Sequence, residues 1–180
     1  MQDKTKPRRK VSRLRYAVGV VVLGVVGLIF ASFALGHVGN YEVISNSMAP
    51  TLFKGYRVLV DQRPHYVPQV GDVIVFEDPE TAGDLLTKRV AATAGQTVEI
   101  ADGFLLVDGR EWAPPKQSPS RVPPDRHMER VKLRKGEVFV LGDSLENSED
   151  SVEFGPVATK SVKGKLWLVY WPPGHVSRVR

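Results

Sequence analysis

The chain has 180 residues, 42% hydrophobic and 25% charged, the balance of a globular protein long enough to bury a core, which excludes disorder and the mini-protein class. Cysteine is absent, so thiol catalysis, disulfides and Cys-ligated metal centres are excluded, while the redox compartment stays open. The net charge of +5 sits in residues 1–15, which hold seven basic residues and one acidic residue; the nearly neutral remainder has no basic face of the kind that binds nucleic acid.

Residues 1–15 read as a basic tail. Tyr16 to Leu35 is then twenty residues without a charge, enough at ~1.5 Å of rise per residue to cross a hydrocarbon layer of about 30 Å. We therefore expect a transmembrane helix over residues 16–36. A helix apolar on every side is hard to cover in so small a body, which disfavours a buried core helix. The basic flank predicts a cytoplasmic N-terminus and a body outside the cytoplasm. Ser32-Phe33-Ala34 offers the small residues of a processing site, but the apolar run exceeds the ~7–15 residues of a cleaved signal. An uncleaved, single-pass signal-anchor is the expectation.

From Tyr41 onward, short β-branched runs alternate with Gly, Pro and Asp. The predicted strands cover residues 56–60, 73–76, 87–91, 98–100, 104–107, 138–141 and 166–170. Asp102-Gly103 and Asp108-Gly109 are tight-turn signals that make residues 97–112 a meander of hairpins. Residues 113–128 hold five of the 13 prolines and read as a surface excursion. No sustained helical period appears after the apolar segment. The fold class expected is mainly β: an antiparallel sheet or barrel-like domain over residues 37–180, with a smaller β lobe inserted at about 97–136.

The four histidines, at positions 37, 65, 127 and 175, are scattered, and no G-x-S-x-G elbow surrounds a serine. Neither H-E-x-x-H nor another metal-ligand spacing occurs. The acidic stretch Asp143–Glu153 lacks the alternating ligands and central glycine of a calcium loop and reads as a solvated acidic turn that also organises its neighbours. The stretch Ser45-Asn46-Ser47-Met48-Ala49-Pro50-Thr51-Leu52 is unusual. It begins about ten residues past the apolar segment, which puts its chemistry close to a bilayer surface.

Downstream lie Gly71-Asp72-Val73-Ile74-Val75-Phe76, then Lys88-Arg89-Val90 with Gly95. Gly142-Asp143-Ser144 follows, running into Asn147-Ser148-Glu149-Asp150-Ser151. This ordered set, behind an N-terminal anchor, resembles the type I signal peptidases, membrane-bound serine proteases that remove secretory signal peptides.

The resemblance implies a Ser–Lys dyad with Ser47 as nucleophile and Lys88 as general base. Ser45 and the Ser47 backbone N–H would form the oxyanion hole, Ser148 would hydrogen-bond and orient the lysine, and Asp143 and Asp150 would support the site. A lysine with an ordinary pKa of ~10.4 is protonated at neutral pH, so the role demands burial; Leu85, Leu86 and Val90 flank Lys88. Residues 41–44 and 85–87 resemble the two edges that grip an extended peptide, with Val43, Ile44, Leu86 and Thr87 as pocket lining. The resemblance further implies preprotein signal peptides as substrates, cleaved after small residues of the Ala-x-Ala type. It also implies a bilayer as partner, a monomer in the cytoplasmic membrane, and no metal or organic cofactor.

Two positions depart from the family. Its acidic block usually carries two arginines where this chain has Leu145 and Val152, and Glu146 replaces the commoner Asp. The usual Asp–Arg brace behind the site is therefore expected to be missing. A peptidase with a narrow substrate set, or a membrane-tethered peptide-binding relative with weak catalysis, is the rival reading.

Overall fold

The structure, a computed structural model, describes residues 9–115 and 117–179, so residues 1–8 of the basic tail lie outside the described residues. The chain divides into two units after His37. The first is helix α1 (Arg9–Ala34). Its stretch Leu14–Ala34 is long and apolar enough to cross a membrane, with mean hydropathy 2.6 and none of it buried within the protein. The helix continues back through the basic residues to Arg9, so the boundary expected at residue 15 is not a structural one.

The second unit is built on an antiparallel sheet in the order β1-β2-β11-β3-β4-β9-β10, with β12 added alongside β11. The strands are β1 (Val38–Glu42), β2 (Arg57–Asp61), β3 (Val73–Glu77), β4 (Leu85–Thr93), β9 (Glu137–Leu141), β10 (Val157–Ala158), β11 (Val162–Trp171) and β12 (Ser177–Arg178). A second antiparallel sheet, in the order β7-β6-β5-β8, is made by β5 (Thr97–Ala101), β6 (Phe104–Val107), β7 (Arg110–Glu111) and β8 (Val131–Lys132). This smaller sheet is inserted between β4 and β9. A short helix, α2 (Ser151–Phe154), follows β9.

The strand sequences explain why the sheet is buried on both sides. Successive side chains leave a strand on opposite faces. Along β3, Val73 and Val75 join one apolar cluster with Met48, Leu52, Val58, Val60, Leu166 and Val169. Ile74 and Phe76 join another with Val90, Val138 and Val140. Along β9, Phe139 and Leu141 enter a third, with Val98, Leu105, Val122 and Leu133 of the inserted lobe. The uninterrupted runs VIVF and VFVL are therefore two-sided strands that hold the sheet at the centre of the unit.

Both predicted Asp-Gly turns fold as hairpins, with Asp102 and Gly103 at φ 51° and 78° and Asp108 and Gly109 at 51° and 75°. The excursion at 113–128 is not wholly on the surface. Val122 is 5% exposed, and its N–H donates to the Gly103 carbonyl at 2.9 Å. The strands at β1, β7, β8, β10 and β12 are short or carry Gly, Ser and charges, and local composition does not announce them.

Candidate active site

The turn carrying Ser47 is seated by its apolar neighbours. Met48 and Leu52 are 1% and 0% exposed, and the Leu52 N–H donates to the Met48 carbonyl at 2.8 Å. Burying two large side chains on either side of Ala49-Pro50 fixes the hydroxyl beside them. Asn46 closes the turn from outside, its side-chain oxygen accepting the Lys54 N–H at 3.0 Å.

Opposite lies β4, where Lys88 pairs in register with Ile74 and Arg89 with Val73. Lys88 is 3% exposed, and its Nζ lies 2.9 Å from Ser47 Oγ. Burial pushes the Lys88 amine below the usual lysine range. Asp150 and Glu149 oppose that shift, Arg126 adds to it, and Glu153 opposes it. Ser45 Oγ lies 3.2 Å from Ser47 Oγ, on the side away from the apolar seat.

The next side chain of β4, Arg89, leaves on the opposite face and is 2% exposed. Its Nε and Nη2 donate to Asp143 at 2.8 and 2.7 Å, a two-pronged pair whose carboxylate side chain has no exposure. Asp143 also accepts the Thr51 hydroxyl at 2.5 Å, and the Ser144 N–H donates to the Ser47 carbonyl at 3.0 Å. Asp143 thus ties the start of the acidic loop to the turn carrying Ser47.

Asp150 organises the other end of that loop. It caps α2 in a reciprocal pair with Glu153, accepts the Gly142 N–H at 3.0 Å, and is paired with Arg126 at 2.7 Å. The expected absence of an Asp–Arg brace is therefore wrong. Leu145 and Val152 are apolar and buried in the cluster shared with the inserted lobe, while the cations come from Arg89 and Arg126. The loop is solvated only in part: Glu146, Asn147, Glu149 and Glu153 are exposed, whereas Asp143 and Asp150, the residues that organise their neighbours, are 6% and 0% exposed.

Ser148 departs from its expected part. Its hydroxyl is buried, and it makes no hydrogen bond to Lys88 or to any other group. It is packed instead against Gly142. A Cβ built on Gly142 would stand 2.3 Å from Ser148 Oγ and 2.6 Å from the Ser47 carbonyl oxygen. Only a hydrogen fits there, so Gly142→Ala should push the acidic loop off the turn carrying Ser47. We expect this variant to lose about 1–3 kcal/mol of stability by overpacking together with most of its activity. Thermal denaturation and a cleavage assay on the same preparation would check it.

A cavity of about 300 Å³ opens beside Ser47, lined among others by Val43, Ile44, Leu86 and Thr87. All four residues expected to form the pocket thus line one cavity with Ser45, Ser47 and Lys88. Val43 is buried, whereas Ile44 is 76% exposed and stands at the rim. β9 pairs with β4 only from Arg89 onward, so residues 85–88 have β3 on one side and an edge open toward residues 43–47 on the other. Sequence reasoning missed the braces from Arg89 and Arg126. Arg89 lay beside the lysine in the quoted motif, but Arg126 had no signal beyond its charge.

A profile described as signal peptidase, peptidase S26, matches residues 13–171. The chain is 35% identical over 147 residues to the probable thylakoidal processing peptidase 2, chloroplastic, of Arabidopsis thaliana, covering 77% of this chain and 39% of that protein. It is 36% identical over 137 residues to the probable signal peptidase I-1 of Synechocystis sp., covering 71% and 68%. It is 26% identical over 188 residues to a signal peptidase I of Bacillus licheniformis, covering 99% of each. The chain spans about two fifths of the length of the Arabidopsis relatives it matches, 39% and 43%. By the extent of the profile match and the identity to the Synechocystis protein, this chain belongs to the signal peptidase family.

Proposed function

We propose that this chain is a membrane-anchored serine endopeptidase that removes signal peptides from exported preproteins after small residues, with Ser47 as nucleophile and Lys88 as general base. The observation that carries the reading is the 2.9 Å approach of Lys88 Nζ to Ser47 Oγ in a buried setting that disfavours the ammonium. A neutral amine accepts the hydroxyl proton as Ser47 Oγ attacks the scissile carbonyl, then returns it to the leaving amine. Water, deprotonated by the same amine, releases the acyl group. The Ser47 N–H and the Ser45 hydroxyl stabilise the oxyanion, a contribution of about 3–4 kcal/mol per donor in other enzymes. Ser148 contributes a buried hydroxyl with no competing partner, free to turn toward the lysine.

The open edge at residues 85–88 and the facing segment 43–47 form a slot that an extended peptide fills by adding backbone hydrogen bonds. The cavity beside Ser47 then receives a small side chain next to the cut bond. The helix Leu14–Ala34 is long and apolar enough to serve as the anchor, and the basic residues before it favour an N-terminus inside and the second unit outside the cytoplasm, in the cytoplasmic membrane; on this reading the chain acts as a monomer.

The test is cleavage of a preprotein with an Ala-x-Ala site by the full chain in lipid, the cut located by mass spectrometry. Cleavage after the final Ala is the expected result, and failure on several preproteins by folded protein would sink the reading. The reaction should also slow as pH falls through the Lys88 pKa, because the ammonium has no lone pair to accept a proton. That midpoint should lie below the ~10.4 of an ordinary lysine.

A further inference from the structure

Three carboxylates of the acidic loop act on Lys88. Asp150, Glu149 and Glu153 each favour a proton on the lysine, and Arg126 is the cation that opposes them. The Arg89–Asp143 pair lies on the other face of β4. Within the loop itself, the two positions that would carry its own cations, Leu145 and Val152, face the apolar cluster of the inserted lobe. An arginine at either position would have to bury its charge among Val98, Leu105, Val122 and Leu133.

Arg126 arrives from that same lobe. Its Nη2 donates to Asp150 Oδ1 at 2.7 Å and Glu153 Oε2 at 2.8 Å, its Nε to Glu153 Oε1 at 2.5 Å, and its Nη1 to the Leu145 carbonyl at 2.5 Å. The side chain is 9% exposed. A guanidinium fork that fills four acceptor atoms on three residues of one loop is specified in direction as well as charge. The backbone behind it is fixed. Val122 is buried in the lobe, the Arg126 N–H closes a turn onto the Pro123 carbonyl at 3.0 Å, and Arg121 stacks over Phe104.

We propose that Arg126 is a positioning residue for the reaction: the inserted lobe delivers it to the acidic loop, where it holds Asp150 and Glu153 and balances their charge beside Lys88. The lobe is thereby coupled to the dyad through this side chain in addition to the apolar contacts of Leu145 and Val152. This rests on the reading of Lys88 as general base. It also predicts that the loop at 121–126, although rich in proline and remote in sequence, tolerates change poorly.

The experiment compares Arg126→Gln, Arg126→Lys and Glu153→Gln in the full chain in detergent micelles. Two midpoints are measured: that of kcat/KM against pH on a preprotein, and that of the Lys88 13Cε resonance against pH in a Ser47→Ala background. Arg126→Gln should raise both midpoints by about 0.5–1 pH unit, less than the 1–3 units of an ion pair in contact. Cleavage at neutral pH would then fall about three- to tenfold and recover at high pH. Arg126→Lys should keep the wild-type midpoint. Glu153→Gln, which retains an acceptor for the α2 cap, should lower it.

A brace that is only structural would reduce activity at every pH and leave both midpoints in place, and that result overturns the proposal. If Arg126→Gln does not fold, an unmoved midpoint in Glu153→Gln overturns it equally. A shifted resonance midpoint combined with full cleavage by Ser47→Ala would instead refute the dyad and with it the part of Arg126 in the reaction, leaving only its charge coupling to Lys88.

Discussion

Ser47→Ala and Lys88→Ala should each lower preprotein cleavage by about 10⁴-fold or more, and the double variant should be no worse than either alone. On the proposed mechanism the two groups act as one unit: without the hydroxyl no acyl-enzyme would form, and without the amine its proton would have no acceptor. Lys88→Arg should be equally inactive despite the retained length, because a guanidinium stays protonated in proteins. The two alanine variants should fold. Lys88 is 3% exposed, so its removal relieves the protein of a desolvated amine rather than of a stabilising pair. Rates on a preprotein, with circular dichroism to establish folding, decide the matter. Retention of more than a few per cent of activity by a folded Lys88→Ala would mean that another group takes the proton.

The dyad, its cavity and its braces depend on the same backbone. Met48 and Leu52 anchor the serine in the cluster under β2, β3 and β11, while β4 brings Lys88 in from the centre of the sheet. The acidic loop closes the third side through Gly142, whose missing side chain lets Ser148 and the Ser47 carbonyl approach. Preorganisation of this kind makes hydrogen-bond donors and bases effective, since little has to move as charge develops. The open edge of β4 at residues 85–88 is the one part left unpaired among these elements, and it is where a substrate strand would add.

Much of this was legible in the sequence because local pattern carried it. The runs VIVF and VFVL announce buried strands, and the two Asp-Gly pairs announce hairpins with left-handed turn residues. The motif around Ser47 and the Lys88-Arg89 pair marked the site residues that line one cavity. The braces were not legible. Arg126 lies 24 residues from Asp150, in a segment whose prolines suggest only an exposed loop, and nothing local says that its side chain turns inward. Reading Leu145 and Val152 as a loss followed from comparing positions along the chain. Electrostatics depends on where a cation sits in space, and an inserted lobe can supply it from elsewhere.

Arg89→Ala should be the most destabilising single change in the site. Its guanidinium is 2% exposed and donates twice to a carboxylate with no exposure at all, so alanine leaves the Asp143 carboxyl group buried without its cation and held only by Thr51 and its neighbours. Removing one partner of such a pair costs about 3–5 kcal/mol. For a unit of this size that corresponds to a fall in Tm of roughly 10 °C or more. Arg89→Lys should recover only part of it, because an ammonium cannot make both contacts to Asp143 and also reach the Gly71 carbonyl, which Arg89 meets at 2.7 Å. Replacing both partners by apolar residues, Arg89→Met with Asp143→Leu, should restore most of the stability, since neither charge is then stranded. Activity should not return with it. Asp143 also holds Thr51, two residues past the Met48-Ala49 pair that follows the nucleophile, and a leucine offers that hydroxyl no acceptor. A double variant that is stable yet inactive would separate the two tasks of the pair, and one that is stable and fully active would show that Asp143 serves the fold alone.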